Sequence, residues 1–126
     1  MSCAAANATI GIIEGENLAA NAERAGRRLR DGLEAIKGRY PRRVGDVRGM
    51  GLMQGVELVE DEAAGDRRPA RAATVRLFEE TKTRGLLIGK GGLDANVLRI
   101  APPLTVCEAE IDEALRILDE SFAVLG

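Results

Sequence analysis

The spacing of apolar residues changes character between residues 37 and 44. Before this point they recur at steps of three and four, which is typical of one face of an α-helix, at Leu18, Ala22, Ala25, Leu29, Leu33 and Ile36. After it, Leu52, Val56 and Leu58 fall at even spacings, which is typical of a strand. The sequence therefore predicts a helix over residues 16–37 and β structure beyond residue 44.

Glycines mark where these segments end. Gly38 lies where a glycine commonly follows the last turn of a helix. Gly49 and Gly51 bracket Met50, which indicates a tight turn. We therefore expect two antiparallel strands within residues 44–59, joined near Met50.

Shorter elements are predicted on either side of this central segment. An Ala-rich helix over residues 2–13 comes first, and a polar loop over residues 61–69 follows the strands. We then expect a helix over residues 70–84, short strands over residues 86–88 and 97–100, a flexible loop at residues 89–92, and a last helix capped by Thr105 with Glu108. The third helix should turn inward Ala72, Val75, Phe78 and Leu77. This order favours an α+β fold, with a small, mostly antiparallel sheet of about four strands and helices packed on one face.

Composition excludes several classes of function. Aromatic residues make up 2% of the 126 residues and the formal net charge is −2, so nucleic-acid binding is not expected. The absence of histidine argues against a metal site and rules out histidine base catalysis. Cys3 and Cys107 are expected to be small core residues. The apolar start is too short to cross a bilayer, so we expect no membrane partner and a cytoplasmic location.

Three sequence motifs occur in a fixed order. They are VGDVRGMGLM (44–53) followed by GVEL (55–58), RGLLI (84–88), and LRIAPPL (98–104) followed by an acidic helix. Together they resemble the C-terminal domain of class III, fold-type I aminotransferases, notably the alanine–glyoxylate and 4-aminobutyrate branches. SCAA (2–5) is similar to the start of the helix that joins the large domain to this one. The resemblance covers essentially the whole chain.

The resemblance implies an enzyme that uses pyridoxal phosphate to move an amino group between an amino acid and a keto acid, usually as a homodimer. It places residues 1–14 at the end of the helix linking to a large domain, and residues 15–126 in the C-terminal small domain. The cofactor lysine of such enzymes belongs to the large domain, and Lys37, Lys82 and Lys90 do not match it. We therefore expect no bound cofactor and no turnover by this chain alone.

Arg99 is the candidate site residue. It lies between Leu98 and Ile100 in a short predicted strand, so its side chain should point away from theirs. A planar guanidinium can grip a carboxylate with two parallel hydrogen bonds. Spacing alone favours a surface arginine beside a carboxylate of its own chain, whereas the resemblance implies that Arg99 binds the substrate carboxylate.

Two further groups have simpler interpretations. Arg48 with Asp46 is expected to form a salt bridge that holds the glycine turn. The glycine-rich segment at residues 89–92 lacks P-loop spacing and is expected to be a flexible connection rather than a phosphate site.

Three hypotheses about the chain's role remain open at this point. It is the C-terminal domain of an aminotransferase and supplies Arg99, or it complements a large domain encoded as a separate chain. Alternatively, it is a stand-alone, non-catalytic domain that binds small carboxylates or dimerises. In each case residues 1–13 and one sheet face would be exposed in isolation, so we expect self-association.

Overall fold

A computed structural model describes residues 2–126. Within them it has the α-helices α1 (Ser2–Gly15), α2 (Leu18–Arg39), α3 (Arg71–Thr83) and α4 (Glu108–Leu125). The strands are β1 (Val44–Met50), β2 (Met53–Asp61), β3 (Asp66–Pro69), β4 (Gly89–Gly91) and β5 (Val97–Ile100), and a 3-10 turn spans Glu62–Ala64. The elements thus follow the predicted order, with one additional strand.

The strands form one mostly antiparallel sheet in the order β1-β2-β5-β4, with β3 paired to β2 off this path. Side chains alternate between its two faces. One face carries the row Val47, Val56 and Leu98, which are paired across neighbouring strands and buried. Helices α2, α3 and α4 cover this face, so the predicted α+β arrangement with helices on one side is confirmed.

The core is aliphatic, as the shortage of aromatic residues requires. The apolar face of α2 is buried where its spacing predicted, at Leu18, Ala25, Leu29, Leu33 and Ile36. Phe122 of α4 is 1% exposed and stacks on Tyr40, with ring centroids 5.3 Å apart. Helix α1 contributes no buried residue, and it is separated from α2 by Asn17, which has a left-handed conformation (φ 51°).

The inward face of α3 differs from the prediction. Ala72 and Val75 are exposed and Phe78 is half-buried, whereas Thr74, Leu77 and Thr81 are buried. The threonines are accommodated because their hydroxyls donate to backbone carbonyls one turn earlier, Thr74 to Ala70 and Thr81 to Phe78. With the polar atom satisfied within the helix, each threonine packs as a small apolar residue.

Two strand predictions were wrong. The predicted loop 61–69 contains β3, whose charged residues and Pro69 conceal any alternation. Residues 86–88 lie outside the sheet, and the supposed flexible loop supplies β4, whose backbone pairs with β5. Ladder hydrogen bonds use only main-chain groups, so glycines can form a strand where the tertiary structure positions them.

The helix ends and the cysteines also require correction. Gly38 lies inside α2, which continues to Arg39, so it is not the residue after the helix. The cap of α4 is two residues later than expected, because the Cys107 N–H donates to the Glu110 carboxylate at 2.8 Å. Cys3 and Cys107 are exposed rather than in the core.

Candidate functional site

The sheet face opposite the helices carries Arg99. Leu98 and Ile100 are buried while Arg99 between them is exposed, as the alternation along β5 predicted. The cross-strand register places Arg48 opposite Gly55, Gly55 opposite Arg99, and Arg99 opposite Gly89. Two arginines and two glycines therefore alternate in one row across this open face.

Arg99 has no partner within the described chain. Every other arginine of residues 2–126 donates to a carboxylate or a carbonyl, or forms an ion pair. The expectation from spacing alone, a surface arginine beside a carboxylate of its own chain, is therefore wrong for these residues. The five N–H donors of Arg99 remain available to an external acceptor.

Arg48, in contrast, is paired with two carboxylates through its Nη1 atom. Its guanidinium donates to Asp46 at 2.9 Å and to Glu57, on the neighbouring strand β2, at 2.6 Å. The hydrogen bond from Arg48 to Asp46 is the main reason why the pKa of Asp46 lies below its ordinary value, although partial burial opposes the shift. The predicted salt bridge is present, and it joins β1 to β2 instead of offering a binding group.

A cleft opens beside Arg99. It has a volume of about 450 Å³, and its lining includes Ile88, Gly89, Pro102 and Pro103. Its walls are largely apolar, and they carry two charged residues, the cationic Arg99 and the acidic Glu110 of α4. A small ligand with a carboxylate and an aliphatic part would fit this combination of surfaces.

The segment after Arg99 is fastened to α2 by Asn21. The Asn21 side-chain amide donates to the carbonyls of Leu104 and Val106 at 2.7 and 3.1 Å. Arg24 in turn donates to the Asn21 carbonyl at 2.8 Å, which fixes the orientation of the amide. No local pattern in the sequence indicates this role of Asn21, because its partners are more than 80 residues away in the chain.

None of the three lysines is fully buried. Lys82 is 58% exposed and paired with Glu79, and Lys90 is exposed with its ammonium 5.9 Å from the Phe78 ring. Lys37 is half-buried near the end of α2. A lysine that forms an imine with a cofactor needs a desolvated ammonium and a partner for the pyridine ring, and the exposed Lys82 and Lys90 lack the first of these within residues 2–126.

Residues 2–126 contain neither a metal-binding cluster nor a helix that could span a membrane. In that part of the chain, no three acidic or cysteine side chains lie close enough together to hold a metal ion. Within the same residues, none of the helices combines the length and apolarity needed to span a bilayer.

The small α+β domain formed by these residues has the same fold as part of a solved aminotransferase. Residues 1–122 match the family described as Aminotransferase class-III, and the chain belongs to this family.

Individual relatives are similar over nearly the whole chain. The alanine–glyoxylate aminotransferase 2 homolog 2 of Arabidopsis thaliana is 40% identical over 98% of this chain and 25% of its own length. The diaminobutyrate–2-oxoglutarate aminotransferase of Rhizobium meliloti is 40% identical over 100% of this chain and 27% of its own. A Bacillus anthracis aminotransferase structure superposes with a TM-score of 0.87 and 33% identity, covering 97% of this chain and 28% of that one. The chain thus spans about a quarter of the length of its relatives.

Proposed function

We propose that this chain is the small domain of a pyridoxal-phosphate-dependent aminotransferase and that Arg99 binds the carboxylate of its amino acid and keto acid substrates. The observation that carries this proposal is the open guanidinium of Arg99, which has no partner in residues 2–126, beside an apolar cleft. A bidentate guanidinium–carboxylate pair would fix the orientation of the substrate without taking part in bond making.

The names of the relatives support the ligand class. Glyoxylate and 2-oxoglutarate, named for the Arabidopsis and Rhizobium enzymes, both carry a carboxylate next to a carbonyl group. An arginine directed at that shared group would serve either acid. The remainder of the molecule would be recognised by residues outside this chain.

In this proposal, cofactor binding belongs to a large domain and carboxylate binding to this chain. Because none of its lysines is fully buried, we assign no chemical step to it and propose that it is inactive alone. Pyridoxal phosphate would be held by a large domain, which accounts for the other three quarters of the relatives' length. Residues 1–14 would belong to the helix leading from that domain and residues 15–126 to the small domain.

Exposed apolar side chains support contacts with further protein. Ile10 and Ile12 on α1 are about half exposed, and Met50 and Met53 at the β1–β2 turn are 78% and 68% exposed. In the whole enzyme these would meet the large domain or the second subunit of a homodimer. In the isolated chain we propose that they drive self-association, and sedimentation velocity giving a monomer at high concentration would contradict this.

Titration with 2-oxoglutarate tests the role of Arg99. The Nε–Hε resonance of Arg99 in an ¹⁵N-labelled chain should shift on titration. Isothermal titration calorimetry should find saturable binding to the unsubstituted chain and none to Arg99→Ala. Arg99→Lys keeps the positive charge but loses the pair of parallel N–H donors of the guanidinium, so binding should weaken. Arg27→Ala is the matched control, because it removes one positive charge from the exposed side of α2. Equal binding by the Arg99→Ala and Arg27→Ala variants would refute the proposal.

A further inference from the structure

Arg99 is flanked by glycine on both neighbouring strands. Gly55 of β2 and Gly89 of β4 are its direct cross-strand partners. Side chains at such positions normally lie about 4.5–5.5 Å apart at Cβ and contact one another. On this face of the sheet neither neighbour has a side chain, so the Arg99 side chain has room to extend over the backbone of one of the two glycines.

The Arg99 side chain lies on the Gly89 side. A Cβ atom on Gly89 would be 2.9 Å from Nε, 3.2 Å from Nη2 and 3.3 Å from Cβ of Arg99. A Cβ atom on Gly55 would instead meet Val97 at 3.4 Å and would have no Arg99 atom within 4 Å. The guanidinium therefore occupies the space that a side chain at position 89 would fill.

The backbone does not require glycine at this position. Gly89 is absent from the residues with positive φ, so alanine would be compatible with its conformation. Two of the three nearest atoms that an added methyl group would meet, Nε and Nη2, belong to the mobile end of the Arg99 side chain, whereas the third, Cβ, is fixed by the backbone. An added methyl group would consequently displace the guanidinium and shift the paired strands by a few tenths of an ångström.

We propose that Gly89 is a positioning residue, which leaves the space that lets Arg99 lie across β4 toward the cleft and present its fork to a carboxylate. This inference rests on the proposed role of Arg99 as the carboxylate anchor. Displacing the fork would remove one or both of its parallel hydrogen bonds, and a hydrogen bond to a charged group is sensitive to such a change.

Gly91 provides a matched control. It lies two residues along β4 on the same face, has no positive φ, and a Cβ atom there would have nothing within 4 Å. Gly89→Ala and Gly91→Ala therefore add the same methyl group to the same strand. The two variants differ in whether that methyl group meets Arg99.

The experiment measures 2-oxoglutarate binding to the full chain by isothermal titration calorimetry in every variant. The Arg99 Nε–Hε resonance is followed in those variants that keep Arg99, and thermal unfolding is recorded for all of them. Gly91→Ala should bind like the unsubstituted chain. Gly89→Ala should bind roughly 10-fold more weakly and show a moved Nε–Hε resonance in the free state, with an unfolding midpoint close to that of Gly91→Ala.

Each other outcome has a defined meaning. If Arg99→Ala abolishes binding while Gly89→Ala binds like Gly91→Ala, the inference about Gly89 is overturned and the proposed function stands. If Arg99→Ala binds normally, the proposed function itself fails. If Gly89→Ala unfolds, the inference is also overturned, because it requires that the strands stay paired while the guanidinium moves.

Discussion

The backbone of α2 at Gly26 lies directly against the β1–β2 turn at Gly51. A Cβ atom on Gly26 would be 2.6 Å from the Gly51 Cα, so no other residue fits at position 26 without separating the helix from the turn. Gly51 itself has a φ of 52°, which favours glycine. This contact seats the turn on α2, and β1 and β2 extend from it into the sheet.

Gly26→Ala should therefore destabilise the chain by about 1–3 kcal/mol, since the colliding atoms are backbone and cannot rotate away. Gly38→Ala, in the same helix, should stabilise it by about 0.5–1 kcal/mol, because a Cβ atom there meets nothing within 4 Å and alanine favours the helix. Chemical denaturation of both variants measures the two free energies. A Gly26→Ala variant as stable as the unsubstituted chain would contradict the contact.

The Arg48–Asp46 pair predicts a dependence of stability on pH. Because the pKa of Asp46 is lowered in the folded state, its contribution is present above the ordinary value of 3.8 and is lost as the pH falls through the lower, folded-state pKa. Asp46 is 42% exposed, so the contribution should stay below about 1 kcal/mol. Arg48→Ala should raise the pKa of Asp46 toward the ordinary value, as measured by NMR titration of its carboxyl carbon. An unchanged titration would show that Arg48 does not perturb Asp46.

Asn21→Ala should loosen the segment that follows Arg99. The substitution removes the two hydrogen bonds to the carbonyls of Leu104 and Val106, worth about 1 kcal/mol each. Amide hydrogen exchange should accelerate at residues 104–107 while α3 stays protected. Asn7→Ala on the exposed helix α1 is the control. Uniform acceleration across the chain would instead indicate a general loss of stability.

Borohydride reduction after mixing with stoichiometric pyridoxal phosphate should leave most of the chain at its original intact mass. The reason is that Lys82 and Lys90 are exposed and none of the three lysines is fully buried. Peptide mapping should show only scattered, substoichiometric labelling. Stoichiometric labelling of one lysine, with protection by 2-oxoglutarate, would mean that this chain has a cofactor site of its own.

The elements with strong periodicity could be predicted from the sequence. The buried residues of α2 recur at helical spacing over many turns, and Leu98, Arg99 and Ile100 alternate as a strand with one buried face. Strand β4 could not be predicted in this way, because its residues Gly89, Lys90 and Gly91 have no strand preference and pair only because β5 lies beside them. The predicted inward face of α3 was wrong, because a sequence pattern counts threonine as polar. In the fold, Thr74 and Thr81 donate to carbonyls of their own helix and pack as apolar residues.

For the site, the sequence identified Arg99 but not its surroundings. Its motif and its place in a strand are local properties. That Gly89 lies beneath its guanidinium, and that Asn21 holds the segment after it, depend on contacts between residues far apart in the chain.

The sequence by itself determined which segments are helical, where the hairpin turns, and that Arg99 faces away from the core, because periodicity and glycine placement act over a few residues. The tertiary structure decided which arginines are paired. Arg48 and Arg99 both lie opposite Gly55, but Arg48 also reaches Asp46 on its own strand and Glu57 on the next, whereas Arg99 has Gly89 on its other side. The register of the paired strands is set by packing of the opposite, buried face of the sheet. The buried core therefore decides which side chains become neighbours on the open face.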